Sequence, residues 1–272
     1  MDLDPRLAAL RTLGGFFVLR ASGPPPRPLP PLAEVYGTGT PGSRRDPLTF
    51  RVRKVAAALR APEARIAASV AHQGLAARLW SAALGCAALY GRIPDLDPDL
   101  LRWDPGAAAP DDLWLTGVRP LPGDADTVAA AVLGAHLVPL ATALRARYRV
   151  AEGLLRGNAA SALAGAAREL DRWARAHGRP DAAARARALT AELLGHPLLA
   201  GTGTLTGTAF RRRSCCLYYR VPGGGVCGDC CFPAPPGPAR SAGAPAGSAR
   251  APQRPARRPP AAPPSSPHAP SG

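Results

Sequence analysis

Five of the six cysteines in this 272-residue chain fall within residues 211–232, RRRSCCLYYRVPGGGVCGDCCF. Cys215 and Cys216 form a doublet, ten residues separate Cys216 from Cys227, and two separate Cys227 from Cys230. The pattern is C-C-x10-C-x2-C, with Cys231 to spare. Four thiolates gathered at a chain reversal make a zinc site or an iron–sulfur site, and the rest of the chain reads as its scaffold. Residues 217–221, LYYRV, are β-prone, and Pro222, Gly223, Gly224 and Gly225 supply turn chemistry. The expected hairpin returns Cys227 and Cys230 to the doublet. Gly228 allows close backbone approach inside the second pair. An adjacent doublet is awkward for a single tetrahedral ion, because neighbouring side chains of an extended segment diverge. A cluster that spreads four sulfurs over two irons accommodates it more easily. A structural zinc knot stays open on these grounds.

The doublet follows Arg212-Arg213-Ser214 and encloses Tyr218-Tyr219 and Pro222-Gly223-Gly224. In this it resembles the C-terminal 2Fe–2S motif of FhuF-type ferric-siderophore reductases. The resemblance implies Cys215, Cys216, Cys227 and Cys230 as ligands of a 2Fe–2S cluster, with Cys231 a bystander or a substitute for Cys230. A weaker, compositional likeness to the helical core of that family runs over residues 65–103. Another covers residues 154–163, where Gly157-Asn158 precedes a helix. By resemblance, the activity is one-electron reduction of Fe(III) in an imported siderophore, releasing Fe(II). The substrate is then a ferric siderophore and the electron donor a ferredoxin or flavodoxin-type protein. No nucleotide or flavin fingerprint is visible: the glycines of residues 199–210 do not form a strand–GxGxxG–helix unit. The body also distantly resembles a domain of siderophore synthetases that join carboxylates to amines, an activity requiring a nucleotide site.

The formal charge is +15, carried by 34 basic residues of which only Lys54 is lysine. Arg240, Arg250, Arg254, Arg257 and Arg258 stand in the tail without one acid. Elsewhere acids are mixed among the bases, and no basic helix with interleaved polar readers is present, so stable nucleic-acid binding is not expected. Arg211, Arg212, Arg213 and Arg220 make the one dense patch. It reads as a solvated edge or as a docking site for an acidic donor or an anionic ligand. Positive charge there also favours the reduced cluster and raises its potential. The start, Met1-Asp2-Leu3-Asp4-Pro5, lacks a signal-peptide pattern, and the cysteine grouping is not a secreted disulfide framework. A cytoplasmic protein is expected, with at most peripheral membrane association. Residues 127–144 are uncharged but contain His136 and Pro139 and continue as a helical pattern, so they read as a buried helix.

The expected fold is mainly α with a few short strands. Residues 1–205 form a helical siderophore-binding body, 206–233 the cluster-binding hairpin, and 234–272 a disordered Pro/Ala/Arg-rich tail. A short helix opens at Asp4-Pro5, and residues 16–19 read as a strand. Residues 22–31 read as a polyproline crossing, and residues 37–42 as a loop. The strongest helical signal covers residues 62–90, apolar at three- and four-residue steps on more than one face. Its Gly74 and Gly85 mark close packing or a kink, and His72 reads as a satisfied helix histidine. Asp95, Asp97 and Asp99 are not a calcium loop, since the glycine and terminal carboxylate are missing. Residues 112–118 read as a strand and residues 127–156 as a long helix interrupted near Pro139. Asn158 is an N-cap for a helix over residues 159–177, and residues 181–194 form another ending at Gly195. Candidate siderophore or donor contacts are Trp80, Trp114, Tyr218, Tyr219 and Arg220, placed between the body and the hairpin.

Overall fold

The computed structural model describes residues 4–236, apart from 22, 24, 26 and 38–45. The expected tail from residue 237 onward and most of the residue 37–42 loop lie outside the described residues. Helix α1 (Asp4–Ala9) runs into a 3₁₀ turn, Leu10–Leu13. Residues 16–19 are not a strand: Gly15–Phe17 is a second 3₁₀ turn. What bends it is Arg78, whose guanidinium donates to the carbonyls of Gly15, Phe16 and Val18 and holds all three toward the interior. Short α2 (Leu32–Tyr36) and α3 (Pro47–Leu59) follow. Asp46 caps α3 by accepting from Leu48 N, and Pro47 fits the first turn.

Helix α4 (Ala64–Tyr90) is the axis of the fold. Nineteen of its 27 residues are buried, so it lacks a solvent face and lies at the centre rather than on the surface. Gly91, at φ +68, ends it in the left-handed region. Gly85 is a close-packing glycine: a Cβ there would stand 2.9 Å from the Phe17 ring. Four three-residue strands then form two antiparallel ribbons. β1 (Arg92–Pro94) pairs with β4 (Pro120–Pro122), and β2 (Leu101–Trp103) pairs with β3 (Leu113–Leu115).

Helix α5 (Ala125–Ala129) widens into a π-helical stretch, Ala130–Leu137, ahead of α6 (Val138–Tyr148). The widening falls just before Pro139, which lacks an N–H and crowds the carbonyl one turn back. The stretch Ala125–Tyr148 is long and apolar enough to cross a membrane, but half of it is buried within the protein. The helix does not continue to residue 156. Arg149 takes φ +53 and closes α6, and α7 (Glu152–Ala176) starts afresh. Asn158 is therefore no cap but an interior residue of α7. Helix α8 (Pro180–Gly195) packs on α7, which itself lies along α4 through small residues such as Ala159, Ala160 and Ala166. A last hairpin joins β5 (Gly203–Thr206) to β6 (Ala209–Arg212).

Within this core, Tyr36 Oη lies 2.7 Å from His136 Nδ1, and His136 Nε2 is bonded to Leu96 O. Both ring nitrogens are used when Nε2 carries the proton. Burial pushes the His136 pKa down to about 4 from the ordinary 6.5. The unfolded chain therefore binds a proton below pH 6.5 that the folded chain refuses. Stability is full above that pH and falls as pH drops toward 4, by on the order of 1.4 kcal/mol per pH unit for this group. His136→Gln is expected to shallow that slope, measured as urea midpoints between pH 7 and pH 4.5.

Candidate metal centre

Hairpin β5–β6 delivers the cysteines. Strand β6 alternates exposed and buried, turning Phe210 and Arg212 inward and leaving Arg211 outside. Arg212 N donates to Asp229 O at 3.0 Å, tying the Cys227–Cys230 loop to the strand. Residues 217–221 are not a strand. Leu217 takes φ +69 and Tyr218–Arg220 is a single 3₁₀ turn. A doublet whose two thiols must both face inward needs a tight local bend, and an extended segment would send one outward. The reversal at residues 222–225 does occur, with Gly223 at φ +72.

Cys216 Sγ and Cys227 Sγ lie 3.6 Å apart. Two sulfurs on one tetrahedral metal, with bonds of about 2.3 Å, stand about 3.8 Å apart, so this pair fits. Cys215 and Cys230 are not drawn into the same shell, and among the described residues no three metal-ligating side chains converge on one point. The bond to Cys227, with the Arg212 charge nearby, lowers Cys216 to about 6. The same bond raises Cys227, and burial raises Cys215 to about 11.

Backbone amides repeat one pattern around these sulfurs. Leu217 N lies 3.2 Å from Cys215 Sγ, and Phe232 N lies 3.4 Å from Cys230 Sγ. Backbone amides also favour the thiolate forms of Cys216, Cys227 and Cys231. The residue two on from Cys231 is Pro233, which has no N–H to give in the way Leu217 and Phe232 do.

Behind the doublet lies a buried polar chain that the sequence reading missed. Ser69 Oγ donates to Cys216 O at 2.8 Å, and Asn158 Nδ2 donates to Ser69 O at 2.9 Å. Arg212 donates to Asn158 Oδ1 and, at 3.4 Å, to Gln73 Oε1. Gln73 Nε2 approaches Ser161 Oγ at 3.5 Å, and Ser161 Oγ donates to Asp229 Oδ2 at 2.6 Å. Arg212 is therefore not part of an exposed basic patch, whereas Arg211, Arg213 and Arg220 are exposed. His72 is not satisfied either: its Nδ1 is buried without a partner. Burial, with Arg212 adding to it, pushes the His72 pKa down to about 3, so the ring is neutral.

A cleft of about 490 Å³ opens between the 3₁₀ segment at residues 13–17, α4, α7 and the Cys227–Asp229 loop. Gln73, Ser81, Ser161, Arg168, Glu169 and Asp229 give it polar groups, and Phe16 and Phe17 an apolar wall. The aromatic candidates are elsewhere. Trp80 is wholly buried in the core. Trp114 sits on β3, its Nε1 donating to Asp111 O at 3.3 Å and the Arg20 guanidinium over its ring. Neither lines the cleft. Tyr218, Tyr219 and Arg220 do not line the cleft either: Tyr219 meets Phe232 edge to face, and Arg220 Nη1 reaches Glu63 Oε1 at 2.6 Å.

The family model described as the FhuF 2Fe-2S C-terminal domain matches residues 212–232. No curated protein matches the chain significantly. The match points to a 2Fe–2S cluster as the cofactor and marks the segment as iron–sulfur and metal-binding.

Proposed function

We propose that this chain, with a C-terminal segment of the FhuF 2Fe–2S type, is a ferric-siderophore reductase. Residues 206–233 carry the cluster and the helices before them form the substrate-binding body. Cys215, Cys216, Cys227 and Cys230 would hold the cluster, and the Cys216 and Cys227 sulfurs already stand at the separation of two ligands on one metal. A bound 2Fe–2S cluster supplies one-electron transfer. The observation that carries the reading is the cleft: one cysteine of the set, Cys227, lies in its lining, so a chelate seated there is next to the sulfur site.

The chain's own residues bind and orient the substrate. Arg168 Nη1 lies 3.3 Å from Asp229 Oδ1, and with Glu169, Gln73 and Ser161 it presents donors and acceptors for a polar iron chelate. The Phe16 and Phe17 wall takes the apolar part of the ligand. Oxygen ligands hold Fe(III) by its high charge; one added electron lowers that charge and weakens the bonds, freeing Fe(II). Exposed Arg211 and Arg213 offer a basic surface to an acidic one-electron donor of ferredoxin or flavodoxin type. The cytoplasm, where such donors and reduced thiols occur, is the compartment this implies.

Anaerobically purified protein is expected to contain iron and inorganic sulfide and to absorb in the visible. Reduced protein should be reoxidised by a ferric hydroxamate or catecholate, with Fe(II) trapped by a chromogenic chelator. Gly165, in the cleft lining, has room around its Cβ position, with only Arg168 Nη2 within 4 Å, at 3.9 Å. Gly165→Phe should fill the cleft, leave iron and sulfide content unchanged, and slow siderophore reduction at least about tenfold, the range a lost oriented contact commands. Reoxidation by small ferricyanide should be unaffected. Equal slowing with both oxidants would place the substrate elsewhere.

A further inference from the structure

Arg212 is an anomaly. Its side chain is buried, with the residue 2% exposed, yet every group it donates to is neutral: Asn158 Oδ1, Leu154 O and Gln73 Oε1. Its Nε has no partner. No carboxylate pairs with it among the described residues; Asp229 turns its oxygens to Ser161 and Arg168. The other inward guanidiniums do have acids, Arg78 with Asp112 and Arg147 with Asp46. A cation held out of water with neutral partners alone is disfavoured and calls for a counter-charge. What adjoins Arg212 is the cysteine site: its own amide donates to Asp229 O inside the Cys227–Cys230 loop, and its partner Asn158 reaches Cys216 O through Ser69.

We infer that Arg212 is the built-in counter-charge of the iron–sulfur centre, placed to hold its reduction potential up. The inference rests on the cluster reading above. Four thiolates around two irons and two sulfides leave the centre negative, and reduction adds one more negative charge. A fixed cation stabilises the more negative state more strongly, and does so best where water and salt do not screen it. Arg211 and Arg213 are exposed and screened, and Arg220 is paired with Glu63. Only Arg212 is positioned for this role among the arginines of the segment. Its surroundings fit it: Asn158 and Gln73 orient the guanidinium without neutralising it. Gly157 leaves it room, since a Cβ at that position would stand 3.3 Å from Nη2 and 2.3 Å from Ser214 Oγ.

The test is a redox titration of the full chain, followed by visible absorption and electron paramagnetic resonance, with iron and sulfide assayed in every sample. At a fixed potential, Arg212→Gln is expected to lower the reduced-to-oxidised ratio at least about tenfold, equivalent to about 59 mV for a one-electron couple. Asn158→Asp keeps the cation but sets a carboxylate against it, and should shift the ratio the same way. Arg212→Lys should stay close to the parent. Loss of the cluster in Arg212→Gln and Asn158→Asp, with loading kept in Arg212→Lys, also supports the counter-charge role. A loaded Arg212→Gln protein with an unchanged ratio overturns it, as does loss of loading in Arg212→Lys too, which would make the residue a packing element. If the parent itself holds zinc and no sulfide, the cluster reading fails, and this inference with it. Insensitive variants of a loaded parent sink this inference alone.

Discussion

Cys227→Ser is expected to abolish the visible absorption of the protein and reduce bound iron and sulfide to background, while Cys231→Ser leaves all three unchanged. Cys227 stands 3.6 Å from Cys216 and shares a hydrogen bond with it. Replacing its sulfur with a hard oxygen removes a soft ligand from one iron and leaves Cys216 unmatched. Cys231 is adjacent to Cys230 in sequence but differs from it in its donors. The amide two residues on bonds the Cys215 and Cys230 sulfurs, and Pro233 denies Cys231 that donor. Such N–H···S bonds offset the charge on a thiolate ligand. Metal and sulfide analysis of the two variants, purified side by side without oxygen, decides the matter. Equal loss in both would put Cys231 in the ligand set, and retention in Cys227→Ser would remove Cys227 from it.

The second large effect lies outside the metal centre. Asp112→Asn is expected to destabilise the fold by about 3–5 kcal/mol, the range for removing one partner of a buried ion pair. Arg78 Nε donates to Asp112 Oδ1 at 2.7 Å, with side-chain exposures of only 2% and 5%. The same guanidinium holds the carbonyls of Gly15, Phe16 and Val18, and residues 13–17 wall the cleft. The variant should therefore lose substrate binding at temperatures where it is still folded. The double change Arg78→Met with Asp112→Leu removes both charges but orphans the three carbonyls. It should cost less than the two single changes together, a non-additivity that a urea-midpoint cycle measures. Additive losses would show that the pair does not act as a unit.

Much of the helical framework was legible from spacing and punctuation. Helices α4 and α8 fall where the apolar steps and the Gly195 stop place them, and the interruption near Pro139 appears as the π-helical widening. The errors share one cause. The 3₁₀ turn at Gly15–Phe17 exists because a buried arginine far along the chain captures its carbonyls, and local propensity for a strand loses to three charge-assisted bonds. Asn158 looks like a cap beside Gly157, but α7 begins six residues earlier and carries it into the interior, where Arg212 and Ser69 meet it. One signal for Arg212 was present and unused: it follows Phe210 by two residues, and a strand puts both on one face.

The sequence alone limited the site to a zinc or an iron–sulfur centre, because the spacing of soft ligands along a chain limits which metals can be gathered, and the likeness of its motif to a known one favoured the cluster. It also determined that the body would be helical, since apolar periodicity is a local property. The tertiary structure decided which of four neighbouring arginines is buried and that the cleft contains no tryptophan. These depend on long-range packing between α4, α7 and β6, and burial sets the strength of a charge or a hydrogen bond far more than residue type does.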